Sequence, residues 1–133
     1  MSMQWTSELS TGVTEIDNQH KEIFSRFDQL SAACSEGRGK EEVMRLLQFL
    51  EDYVKEHFTA EERLQIRNSY PDYAAHKSEH ARFMAEVARL AREYRAEGAT
   101  LSLVILANKT LTSLLMQHIA KTDMALAEYL RGE

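Results

Sequence analysis

Apolar residues recur along most of this 133-residue chain at the three-and-four spacing of a buried helix face. Ile23, Phe24, Phe27, Leu30 and Ala33 make the first stripe. It opens near Asp17, a residue type that caps helix N-termini, and fails by Gly37 and Gly39. Val43, Leu46, Leu47, Leu50, Val54, Phe58 and Leu64 predict a second helix from Lys40 to Arg67. The run Asn68, Ser69, Tyr70, Pro71, Asp72 interrupts it, because the residue before proline avoids helical backbone. A third stripe carries His76, His80, Phe83, Val87, Leu90 and Tyr94 and ends at Gly98. Thr100 can cap a fourth helix bearing Leu103, Leu111, Leu115, His118, Ile119, Leu126 and Leu130. Residues 1–16 show no helical period: Trp5, Val13 and Ile16 alternate with Ser, Thr and Gly12, which reads as an arm with Trp5 plugged onto the rest. Four helices joined by short connections must pack antiparallel to their neighbours. The expected fold is all-α: a single domain over 1–133, with an up-down-up-down antiparallel four-helix bundle over 17–131 behind the N-terminal arm.

Composition sharpens this picture by exclusion. One proline and five glycines suit helices. A net charge of −5 without a block of like charge disfavours nucleic acid and anionic membranes as partners. No apolar run approaches the roughly 18 residues that span a bilayer, and the N-terminus lacks a signal-peptide pattern. The lone Cys34 has no internal disulfide partner, suits a reducing compartment and is expected to be inert. A cytoplasmic protein is the expectation. The alternation of Arg82, Glu86, Arg89 and Glu93 reads as a solvated, ion-paired outer face.

The chemistry lies in the histidines. His57 and Glu61 stand four residues apart, on one helix face and close to the apolar stripe. Such a pair is ordinarily a solvated surface feature. Here, however, all five histidines, His20, His57, His76, His80 and His118, fall on inward faces of the four helical patterns. His76 and His80 repeat the spacing of four, and Asp123 follows His118 by five. Five residues of regular α-helix turn through about 500°, which leaves Asp123 about 140° from His118. A local π-bulge would bring both onto one side. Polar groups gathered in a dry core need partners, and a metal centre satisfies them together. Five imidazoles are too many for one ion; two ions share them if carboxylates bridge, leaving one position open for a small diatomic ligand. Imidazole with carboxylate suits iron, whereas calcium and magnesium prefer all-oxygen shells and zinc four ligands.

These motifs resemble those of the hemerythrin family, in its bacterial single-domain form. The resemblance covers essentially the whole chain. It rests on Trp5, Gly12 and Val13 in the arm, and on Ile16, Asp17 and the segment to Lys21 around His20. His57 to Glu62, Tyr70 to His80 and His118 to Asp123 complete it. It implies reversible dioxygen binding, for storage, delivery or sensing, at a non-haem pair of iron ions with a bridging oxo or hydroxo group. By the family pattern His76, His80 and His118 hold one iron, and His20 and His57 hold the other, which keeps the open position. Glu61 and Asp123 bridge. Ile23, Phe58, Leu115 and Ile119 would wall the oxygen pocket, and Leu114 stands where animal members carry an aromatic residue. No catalysis is expected: no Ser, Cys, Lys or spare acid stands on an inward face near the site. The Glu-x-x-His pattern of diiron oxygenases is also absent. The alternatives are a diiron redox enzyme acting on peroxide or nitric oxide, and a metal-free helical interaction module.

Overall fold

In a computed structural model that describes residues 5–132, the chain is all-helical, and no strand occurs among the described residues. Helix α1 is Thr14–Ser35. Helix α2 runs over residues 39–67, with α-helical Gly39–Phe49, a π-helical stretch Leu50–Val54, and α-helical Lys55–Arg67. Helix α3 is Tyr73–Glu97. Helix α4 runs over residues 101–130, with Leu101–Gln117, a π-helical His118–Asp123, and Met124–Leu130. Each helix packs on its neighbours in the ring: α1 on α2 and α4, and α3 on α2 and α4. This is the expected four-helix bundle.

The connections follow from local chemistry. After α1, Gly37 takes φ +79°, and the Arg38 N–H reaches back to the Ala33 carbonyl at 2.7 Å, closing the helix end. After α2, Ser69 adopts φ +52° and the Tyr70 N–H bonds the Gln65 carbonyl at 3.0 Å, so the chain has turned before Pro71. Tyr129 in α4 locks this turn, its hydroxyl donating to the Asn68 carbonyl at 2.8 Å. Thr100 caps α4 as expected, its hydroxyl oxygen accepting the Leu103 N–H at 3.1 Å.

The start of α1 differs from expectation. The helix begins at Thr14, and Asp17 is its fourth residue rather than its cap. The reason lies in the arm. Gly12, at φ +83°, folds the chain back so that the Asp17 carboxylate accepts the Thr11 N–H, the Thr11 hydroxyl and the Ser10 hydroxyl, each at 2.8 Å. The carboxylate therefore serves the arm, and the arm ends at Val13. Trp5 packs against the core with Lys21 over its ring at 4.5 Å; the first four residues of the expected arm lie outside the described residues.

The apolar stripes meet as one core that includes Ile23, Phe27, Leu30, Leu47, Leu50, Val87, Leu90, Leu111 and Leu115, each at most 3% exposed. Leu64, expected in it, is half-buried, and Gln65 takes the fully buried place. On the outer face of α3, Arg89 pairs with Glu86 and Glu93. The core fills the half of the bundle at the Gly39 end. Toward the other end the same inward positions turn polar.

Candidate metal centre

The structure brings together all seven residues that sequence reasoning placed at the site. His20 comes from α1, His57 and Glu61 from α2, His76 and His80 from α3, His118 and Asp123 from α4. None is more than 8% exposed. The π-helical segment His118–Asp123 is the bulge that the spacing of five required. The inward positions of α4 advance there in steps of four: Leu111, Leu115, Ile119, Asp123, Ala127 are all buried. In an unbroken α-helix each such step would drift about 40°, and Asp123 would leave the core. The wider π turn absorbs the drift and aims Asp123 at His20, His76 and His118, with contacts of 3.0, 2.9 and 3.1 Å.

Two overlapping groups of donor atoms form within this cluster. Glu61, His76, His80, His118 and Asp123 make one; His20, His57, Glu61 and Asp123 make the other, and within each group all donors lie inside 4.8 Å of one another. The two carboxylates belong to both. Glu61 sits at the centre, with His76 Nε2 at 2.8 Å, His80 Nε2 at 3.1 Å and His57 Nε2 at 3.5 Å.

The outer ring nitrogens show which atoms are left to bind. His80 Nδ1 lies 2.8 Å from Glu62 Oε2, and His118 Nδ1 lies 3.0 Å from Glu79 Oε1. A carboxylate only accepts, so both Nδ1 atoms carry the proton and donate. His57 Nδ1 donates to Gln19 Oε1 at 2.5 Å, and Gln65 reaches His76 Nδ1 at 2.9 Å. Turning the Gln65 amide over places its otherwise partnerless Oε1 on that nitrogen as acceptor. Each of these histidines then presents a bare Nε2 lone pair inward. His80 Nε2 and His118 Nε2 face each other at 3.1 Å, and His76 Nε2 and His118 Nε2 at 3.2 Å. Lone pairs repel at that distance unless a cation stands between them.

The carboxylates tell the same story. Glu61 Oε2, both Asp123 oxygens and both His20 nitrogens are buried without an aligned hydrogen bond, although His20 Nε2 lies only 3.0 Å from Asp123 Oδ2. Buried polar atoms in that condition are costly, and a pair of cations would satisfy the set. Without metal, protons must do the work. Burial pulls His118 down, yet the charge of Asp123 and its contact with Glu61 raise it to about 11. Burial likewise opposes His20 and His76, but Asp123 and Glu61 raise each to about 9. His57, further from Asp123, is pushed down to about 4 by burial. Burial would raise Glu61 and Asp123; the surrounding imidazoles hold both well below the usual carboxylate range. The donor set fits divalent metal: neutral imidazole Nε2 and anionic carboxylate, with Nδ1 anchored in His57, His76, His80 and His118.

The four apolar residues expected to wall a pocket are all buried. Ile23, Leu115 and Ile119 are at most 1% exposed, and Phe58 is 3% exposed. Phe58 stacks flat on His80, ring centroids 3.8 Å apart and planes 6° apart, and meets His57 and His118 at 5.8 Å each. It therefore backs histidines of both groups. A cleft of about 300 Å³ between α3 and α4 reaches Phe58, Leu115 and His118 from outside, past Leu114 and Lys121.

Sequence reasoning missed the outer partners Gln19, Glu62, Gln65 and Glu79. No spare acid was expected near the cluster, but Glu62 and Glu79 touch it from outside. Their signal was adjacency. Gln19, Glu62 and Glu79 each neighbour a cluster residue in the chain, and Gln65 follows Glu61 by one helical turn.

Residues 11–130 match the family model described as "Hemerythrin HHE cation binding domain". The chain is similar to a bacteriohemerythrin of Methylococcus capsulatus, 34% identical over 122 residues covering 91% of each chain. A bacteriohemerythrin of Stenotrophomonas maltophilia is 30% identical over 96% of this chain and 81% of its own. A solved structure, described as that of a leucine-to-phenylalanine mutant, superposes with a TM-score of 0.80 at 32% identity over 94% of both chains.

Proposed function

The chain belongs to the hemerythrin family, and from that footing we propose that it binds dioxygen reversibly at a non-haem diiron centre, as an oxygen store, carrier or sensor and not as an enzyme. The observation that carries this reading is the pair of donor groups sharing Glu61 and Asp123. His76, His80 and His118 would hold one iron, His20 and His57 the other, and the shared carboxylates would bridge. Two ferrous ions so held would supply reversible two-electron chemistry toward dioxygen. The one group is richer by an imidazole, so an exchangeable ligand would be held more readily on the His20 and His57 side.

The protein's own part is to hold and to exclude. Gln19, Glu62, Gln65 and Glu79 fix four of the five imidazoles from outside, so that Nε2 of each faces inward before any ligand arrives. Ile23, Phe58, Leu115 and Ile119 keep water and its protons away, which favours release of oxygen over irreversible oxidation. Among the described residues no helix is long and apolar enough to cross a membrane.

The test is anaerobic reconstitution with ferrous iron, followed by admission and removal of oxygen while iron content and the visible spectrum are recorded. Two irons per chain and an oxygen-dependent absorption band that vanishes on deoxygenation are expected. Iron that oxidises at once without such a band, and then turns over peroxide or nitric oxide with a reductant, would overturn the reading in favour of a redox enzyme. A chain that binds no iron would reduce it to a helical module.

A further inference from the structure

The two halves of the cluster are anchored by different chemistry. In the three-histidine half, His80 and His118 each donate Nδ1–H to a carboxylate, Glu62 and Glu79, and His76 meets the Gln65 amide. Thr122 steadies Glu79, its hydroxyl donating to the same oxygen at 2.8 Å. In the two-histidine half, His57 has only the Gln19 amide, and His20 Nδ1 is buried with no hydrogen-bond partner. We propose that Glu62 and Glu79 are positioning residues that make the His76, His80, His118 half the tighter metal site and the first to fill, with the His20, His57 half loading second and exchanging faster. This rests on the reading of the cluster as a two-metal centre.

The physical ground is direct. A carboxylate that accepts Nδ1–H draws the proton outward and leaves Nε2 a stronger donor to a cation, and its negative charge offsets that of the metal. An amide orients the ring but adds no charge. A ring with no outer partner is oriented by packing alone. Two carboxylate-backed imidazoles against none is therefore a difference in donor strength, added to the difference of one histidine. The carboxylates stand at the bundle surface, with side chains 21% and 37% exposed, so altering them leaves the core packing in place.

Cobalt(II) alone is a suitable probe, because its visible absorption reports each site as it fills. Stepwise addition of Co2+ to metal-free protein, followed by absorption and calorimetry, should show two resolved steps. His118→Ala should abolish the tighter one and His57→Ala the weaker one. Glu62→Gln and Glu79→Gln, which keep a hydrogen bond but lose the charge, should each weaken the first step about tenfold, and the alanine variants about 10–100-fold. The second step should move far less, and Gln19→Ala should weaken the second step alone. The far-UV circular dichroism of the metal-free glutamine variants should match that of the parent, which separates ligand positioning from loss of the fold. Glutamate variants that weaken the second step as much as the first would overturn the proposal. So would a tighter step that survives His118→Ala, or affinities that do not respond to the glutamates. If the parent chain bound no Co2+ at all, the two-metal reading itself would fail instead.

Discussion

Phe58 joins the apolar core to the polar cluster, and its removal tests both. Its ring is 3% exposed, stacked on His80 at 3.8 Å and set edge-on to Phe83 at 5.8 Å. Phe58→Ala loses the transfer energy of the ring and leaves a cavity, which together cost about 3–5 kcal/mol. Unfolding entropy near 60 °C is about 2.1 cal/mol/K per residue, or about 0.28 kcal/mol/K for this chain. The melting temperature of the metal-free protein should therefore fall by about 11–18 °C. Phe58→Leu keeps most of the volume and forfeits mainly the ring stacking, worth about 0.5–1.5 kcal/mol, so a fall of about 2–5 °C is expected. Calorimetry on both variants measures this. In iron-loaded protein the same ring lines the α3–α4 cleft and covers His80, so the oxygen-dependent band should decay faster in Phe58→Ala than in Phe58→Leu. A drop of less than about 4 °C for alanine, on the same entropy scale, together with unchanged decay, would refute the view that Phe58 packs the core and shields the centre.

Metal removal should destabilise the fold. Each ion present at a hundred times its dissociation constant adds about 2.7 kcal/mol, or about 10 °C, and a chelator should take this away in a melting scan. Metal binding should also release protons near pH 7.5. His20, His76 and His118, raised to about 9, 9 and 11, are charged in metal-free protein, and a weakly buffered indicator dye will record the acid. Because these folded values lie above the unfolded 6.5, their stabilisation of metal-free protein is complete below pH 6.5 and is lost as pH rises through 9 and 11. His57, lowered to about 4, works in the opposite sense between pH 6.5 and 4. Asp17 is held below its usual value: burial would raise it, but the Thr11 and Ser10 donors outweigh burial. Its hold on the arm is thus present above the unfolded value of 3.8 and lost as pH falls through the lower folded one. Trp5 emission should shift only in acid, whereas Asp17→Asn should shift it at neutral pH. Thr100→Ala removes the cap of α4 and should cost about 1 kcal/mol, or about 4 °C in melting temperature.

Much of this was legible in the sequence, and for definable reasons. The stripes on all four helices are regular, so the bundle could be read from period alone. The π turn at His118–Asp123 could be read because two polar residues with one destination stood at a spacing that α-helix forbids. The similar π stretch Leu50–Val54 went unread, since nothing but apolar and surface residues marks it. The start of α1 was misplaced because an aspartate that caps a helix and one that receives an arm look alike until the fold of Gly12 is known. Gln19, Glu62 and Glu79 were passed over because half-exposed polar residues on a helix ordinarily face water. Only the inward rotation of their neighbours brings them against imidazole.

The π turn in α4 also sets a frame. Upstream of it the inward series is Leu111, Leu115; downstream it is Asp123, Ala127, and the two are continuous only because the turn between them holds one residue more than an α turn. Helix α4 is thus two rods keyed at a fixed angle. Straightening of His118–Asp123 to α geometry with every residue kept would swing Met124–Leu130 by about 100° about the axis. Leu126 and Ala127 would go outward, and the Tyr129 latch on the Asn68 turn would open. A helix usually tolerates exchange of one residue for another better than loss of one. Within these six positions loss is absorbed instead, because His118 and Asp123 would then stand four apart and share one face of an unbroken α-helix.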